Sequence, residues 1–113
     1  MRRVLSCGVL AAAALSGCAP VVRARMLDAP RAAHVGAIAT HVGDAVLPPG
    51  FRPLAFVIVT GDDLASDAEL LEAMEGEARR VGCTHLFACA PYRYDARRST
   101  GLCGVVDPGA RER

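Results

Sequence analysis

The chain contains no Lys, Asn, Gln or Trp. Without lysine there is no P-loop lysine, no Schiff base and no lysine general base, and without asparagine there is no N-glycosylation acceptor. Serine is scarce: beyond residue 18 only Ser66 and Ser99 remain, and neither lies in a Gly-x-Ser-x-Gly elbow. The metal-protease pattern His-Glu-x-x-His and the dinucleotide pattern Gly-x-Gly-x-x-Gly are also missing. These absences predict a protein that is not an enzyme and holds no cofactor. From Cys18 onward eleven arginines face twelve carboxylates, so no global field draws the chain to nucleic acid, and none is expected as a partner.

What is present begins with a layered N-terminus. Met1-Arg2-Arg3 is a positive leader, residues 4–15 are apolar apart from Ser6, Cys7 and Gly8, and Leu15-Ser16-Gly17-Cys18 follows. That is the layout of a secretory signal, too short at about a dozen apolar residues to span a bilayer, which needs roughly 20. Leu15-Ser16-Gly17-Cys18 resembles the lipobox of bacterial lipoprotein precursors. The resemblance implies cleavage before Cys18, two thioether-linked acyl chains on its sulfur, and often a third on its amine. Two or three chains anchor firmly where one is marginal. In Gram-negative lipoproteins an Asp after the cysteine tends to retain the protein in the inner membrane, so Ala19 implies the outer membrane, facing the periplasm.

Past the anchor, residues 18–31 hold Pro20 and Pro30 with Arg23, Arg25 and Asp28 between them and no sustained apolar period. They read as a tether that would let the domain stand off the membrane, an edge strand over 21–27 being the alternative. Residues 32–109 suffice for one small domain, and 110–113 read as a frayed tail.

Within the domain, residues 34–42 alternate loosely and contain β-branched side chains, predicting a first strand. Pro48-Pro49-Gly50 breaks the chain. Residues 54–60 (Leu-Ala-Phe-Val-Ile-Val-Thr) are an unbroken apolar run of strand length, which predicts a central strand covered on both faces. Ser66 and Glu69 form a capping box, Leu70, Met74, Ala78 and Val81 recur at helical spacing, and Gly82 supplies a stop. Residues 84–90 read as the next strand, parallel to 54–60 across the helix. Residues 91–99 read as a polar turn, and 100–106 as a return strand. The expectation is an α+β domain with a small mixed sheet of three to five strands and one helix on one face, in the order strand-strand-helix-strand-strand.

Three groups of residues invite chemistry. Cys83, His85 and Cys89 share one face of a strand, but Cys83 and Cys89 would lie about 20 Å apart, too far to hold one ion. A soft-metal site would need Cys83 and His85 with a third ligand such as His34 or His41; a core-facing His85 is the simpler reading. Tyr92, Arg93, Tyr94, Arg97 and Arg98 interleave aromatic and cationic groups at a hairpin tip, a composition that suits phosphate or carboxylate groups. In this compartment those would belong to an envelope protein, lipid A or peptidoglycan, although an ordinary solvated turn has the same composition. Asp62-Asp63 pairs two carboxylates, a pattern commoner as loop solvation.

From about residue 34 to 106 the order of elements, with Ala78-Arg79-Arg80-Val81-Gly82-Cys83-Thr84 leading from helix to strand, resembles small envelope lipoproteins, among them the outer-membrane sensors of the Rcs phosphorelay. Cysteines near the hairpin are oxidised in that group. This chain departs from it in carrying three cysteines beyond the anchor, Cys83, Cys89 and Cys103. In an oxidising compartment thiols that meet form a disulfide. A hairpin turning about Ala96 sets Cys89 directly opposite Cys103, so that pair is expected to bond, leaving Cys83 a buried thiol. A turn displaced by a residue or two would separate that pair or favour Cys83 with Cys103. A metal- or redox-responsive cysteine protein is the alternative to a non-catalytic, lipid-anchored contact protein.

Overall fold

A computed structural model describes residues 19–44, 46–93 and 96–107. Residues 1–18, among them Cys18, and residues 45, 94, 95 and 108–113 lie outside the described residues, so the expected signal segment and anchor, Tyr94 and the expected frayed tail are not described.

The domain is α+β, with one helix and six strands among the described residues. The strands are β1 (Val21–Met26), β2 (Ala39–Val42), β3 (Phe51–Gly61), β4 (His85–Ala88), β5 (Tyr92–Arg93) and β6 (Arg97–Val106), and the helix α1 is Asp67–Arg80. They form one mixed sheet in the order β1-β3-β6-β4-β2, with β5 continuing the β4 side of β6. Only β2 and β4 pair in parallel. Strands β3 and β4 each run antiparallel to the β6 between them, so they are parallel to one another across α1, as expected.

Six strands exceed the expected three to five because two stretches read as irregular are paired. Residues 21–26 are not a tether: β1 pairs with β3 along its whole length, from Val21↔Thr60 to Met26↔Ala55. Its alternation places Val22 and Ala24 against the core while Arg23 and Arg25 point to solvent. Two arginines and Pro30 obscured a period of two that burial on one face satisfies. Tyr92 and Arg93, read as turn, pair with Arg98 and Arg97.

The helix forms as its sequence dictates. Ser66 Oγ accepts from the Glu69 backbone N–H at 3.1 Å, and Glu69 Oε1 accepts from the Ser66 N–H at 3.0 Å, so the box satisfies two donors that the first turn leaves open. Leu70, Met74 and Ala78 are fully buried against the sheet. At the far end Gly82 adopts φ 96°, and its N–H donates to the Arg79 carbonyl while the Cys83 N–H donates to Ala78. The connection between β1 and β2 crosses this end. Arg31 N–H donates to the Val81 carbonyl and His34 N–H to that of Arg79, supplying partners that the helix terminus lacks.

The core lies between α1 and one face of the sheet. Val57, Val59 and Ala55 of β3, Cys103 of β6 and Leu86 and Ala88 of β4 meet Leu70, Met74 and Ala78 there. Gly101 leaves room for the helix: a Cβ on it would fall 2.9 Å from the Met74 terminal methyl.

Candidate functional site

Helix α1 covers one face of the sheet, and nothing among the described residues covers the other. Here the structure corrects the expectation that 54–60 is sheathed on both sides. Phe56 and Ile58, in the middle of that run, are 46% and 42% exposed, while Val57 and Val59 between them are at zero. An apolar side chain on an open sheet face leaves the run as hydrophobic as one buried twice, so hydropathy alone could not separate the two cases.

Pairing assigns the rest of the open face, since opposed residues share a side. One row runs Arg25, Phe56, Leu102, Phe87 and His41 across five strands. The next carries Arg23, Ile58 and Thr100, and the one at the sheet end carries Val21, Thr60, Arg98 and Tyr92. Phe51 closes the other end, edge-on to Phe87 with ring centroids 5.2 Å apart, and His41 stacks on Phe87 at 4.9 Å. All three phenylalanines of the chain therefore stand on the uncovered side. Together they form an apolar surface flanked by arginine on β1.

The hairpin cluster is divided by the same alternation. Tyr92 and Arg98 fall on the open face, whereas Arg93 and Arg97 pair with one another on the helix side. Arg93 reaches Asp63 at 2.9 Å, and Arg97 pairs with Asp67 at the start of α1. Asp63 thus acts as an ion-pair partner, and the Asp62 carboxylate accepts from the Leu64 N–H at 2.9 Å. The five residues read together in sequence do not form one surface, and Tyr94 lies outside the described residues.

The cysteine pairing is also corrected. The disulfide joins Cys83 to Cys103, with Cα atoms 5.7 Å apart, and Cys89 is a free, exposed thiol. The pairs Ala88↔Gly101 and Tyr92↔Arg98 place the turn a residue or more before Ala96. Cys89 therefore lies opposite Thr100, to whose carbonyl its N–H donates at 2.8 Å, and Leu86 takes the place facing Cys103. Cys83, in the turn after α1, reaches Cys103 from beneath the helix, and both are fully buried. Cys89 lines a cavity of about 110 Å³ with Val42, Asp67, Leu71, Pro91 and Ser99.

This arrangement separates the metal pair considered from sequence. Cys83 is bonded on the helix side, while His85 pairs with Gly104 on the open side and its Nδ1 lies 2.8 Å from Thr84 Oγ1. Burial lowers the His85 pKa below 6.5, and the nearby His41 and His34 lower it further. Both effects favour the uncharged imidazole. No group of three His, Cys, Asp or Glu able to hold a metal occurs among the described residues. Both serines of the domain have structural partners: Ser66 caps α1, and the buried Ser99 hydroxyl donates to the Cys89 carbonyl at 2.8 Å.

Fold and surface together define a two-layer α+β domain with a covered and an uncovered sheet face. No family model, curated protein or solved structure matches the chain.

Proposed function

We propose that the chain is the precursor of a lipid-anchored envelope lipoprotein, attached through Cys18, whose domain is a non-catalytic contact module. The anchor is supported by the order of Arg2-Arg3, the apolar stretch and Leu15-Ser16-Gly17-Cys18. Ala19 favours the outer membrane, facing the periplasm. The contact role rests on one observation: Phe56 and Ile58 stand exposed, beside the half-buried pair Phe51 and Phe87, on a face that no other part of the described chain covers. Contiguous exposed apolar side chains rimmed by polar residues are a mark of a binding surface. The sequence-level candidates for the bound component, an envelope protein, lipid A or peptidoglycan, now refer to this face rather than to the hairpin tip alone.

Two measurements test the proposal. Cys18→Ala abolishes fatty-acid labelling and releases or stalls the protein; continued labelling of that variant refutes the anchor. A photo-crosslinking residue at Phe56 forms adducts in intact cells, and one at Glu72, on the exposed side of α1, does not. Absence of adducts at Phe56 refutes the contact surface.

A further inference from the structure

Charge in this domain is sorted by layer. The six strands carry Arg23, Arg25, Arg52, Arg93, Arg97 and Arg98 and not one Asp or Glu. Helix α1 on the opposite layer carries Asp67, Glu69, Glu72, Glu75 and Glu77 against two arginines. Glu75 accepts from Thr40 Oγ1 on the sheet-edge strand β2, and Glu77 pairs with Arg80 within the helix itself. On the uncovered face the only formal charges among the described strand residues are cationic. Arg23 and Arg25 are exposed there, and no carboxylate among the described residues pairs with either.

The chain enters the domain at the end of the edge strand β1, where Val21 points to the open side and Pro20 lies near Ala65 and Leu70 on the helix side. Strand β1 starts at Val21, which shares a row with Thr60 and is 59% exposed on the open side. Only Ala19 and Pro20 separate it from Cys18, and three residues of extended chain reach at most about 10 Å. With the supposed tether taken up in β1, acyl chains on Cys18 would hold the Val21 corner against the lipid headgroups. A domain on so short a leash cannot stand off the membrane, and of its two layers the acidic helix is repelled by lipid phosphates while the apolar face with Arg23 and Arg25 is suited to them.

The geometry points to the bilayer itself as the occupant: the uncovered sheet face lies on the phosphate-bearing surface of the membrane that anchors Cys18, with Phe56 and Ile58 at the acyl boundary and Arg23 and Arg25 on lipid phosphates. This rests on the lipoprotein reading for the short leash, while the sorting of charge and apolar surface is independent of it. Apolar side chains at the headgroup boundary flanked by guanidinium groups are the composition of interfacial binding. Guanidinium pairs with phosphate through two hydrogen bonds at once. An acidic protein would satisfy the arginines too, but it would have to enter between the face and the membrane within the reach of three residues.

Because the chain has no tryptophan, a single introduced one is a unique reporter. The full chain, produced in a bacterial host and checked by intact mass for acyl groups on Cys18, is placed in phosphatidylethanolamine–phosphatidylglycerol vesicles with brominated acyl chains. Phe56→Trp and Ile58→Trp shift to the blue and lose most of their emission, whereas Glu72→Trp keeps both its wavelength and its intensity. Replacing Arg23 and Arg25 by Ala in the Phe56→Trp chain weakens the contact about fivefold per arginine, and raising salt does the same. Quenching of Leu64→Trp with Phe56→Trp unquenched means end-on docking and overturns the proposal, as does equal quenching at Phe56 and Glu72. Acylated Cys18 with Phe56→Trp unquenched removes the docking and leaves the lipoprotein reading standing; a protein captured at Phe56 in cells would then be the occupant. An unacylated Cys18 removes both.

Discussion

Breaking the Cys83–Cys103 bond should cost this domain a large part of its stability. The two cysteines are separated by 20 positions, and a loop of that length closed in the unfolded chain corresponds to about 3 kcal/mol in the chain-entropy model. A domain of this size holds roughly 5–13 kcal/mol in all, so reduction removes between a quarter and more than half. The measurement is urea unfolding of the same protein with and without reductant. With a slope near 1.5 kcal/mol per M, about 3 kcal/mol moves the midpoint by about 2 M. Cys83→Ala with Cys103→Ala should fall at least as far, because both sulfurs are fully buried and their removal leaves unfilled space. The exposed Cys89 gives the internal control: Cys89→Ala changes stability by less than about 0.5 kcal/mol and leaves the response to reductant intact. If Cys89→Ala abolishes that response, or if peptide mapping of the unreduced protein recovers Cys83 as a free thiol, the register of the β4–β6 hairpin is wrong.

Two glycines should respond with opposite signs to replacement by alanine. Gly82 adopts φ 96°, and a Cβ there would fall 2.6 Å from that of Arg31, so Gly82→Ala costs about 2 kcal/mol or more by thermal unfolding. Gly76 lies inside α1, and a methyl added there would meet nothing within 4 Å, so Gly76→Ala gains about 1 kcal/mol; a loss there would contradict the exposed position. Acid should destabilise the fold in two steps. His85 has a folded pKa below 6.5, chiefly through burial, so the unfolded chain binds its proton first and stability falls as pH drops below 6.5. The Glu77 carboxylate is held below 4.5 by its hydrogen bonds from Arg80, so its contribution is present above 4.5 and is lost as pH falls through the lowered value. His85→Gln should remove the first step and Glu77→Gln the second in urea midpoints measured across the acid range, and a midpoint that rises between neutrality and the first step would contradict the sign for His85.

What could be read in the sequence was what is local along the chain. The helix was legible from end to end, because Ser66 and Glu69 cap within a single turn, the stripe of Leu70, Met74 and Ala78 repeats within one element, and Gly82 ends it through its own backbone. Strand β3 was legible as an apolar β-branched run, and its parallel relation to β4 followed from the helix between them. Leu15-Ser16-Gly17-Cys18, which resembles a lipobox, is likewise a contiguous pattern. Tertiary structure decided whatever depends on which strand lies beside which. Residues 21–26 become a strand only because β3 has a free edge to accept them, and no nearest-neighbour signal announces such a partner. A displacement of the hairpin by about one residue moved Cys103 from Cys89 to Cys83, and spacing in the sequence does not specify a turn to that accuracy. The exposure of Phe56 and Ile58 depends on α1 being the single covering element among the described residues, a relation between layers that no local pattern in the run 54–60 encodes.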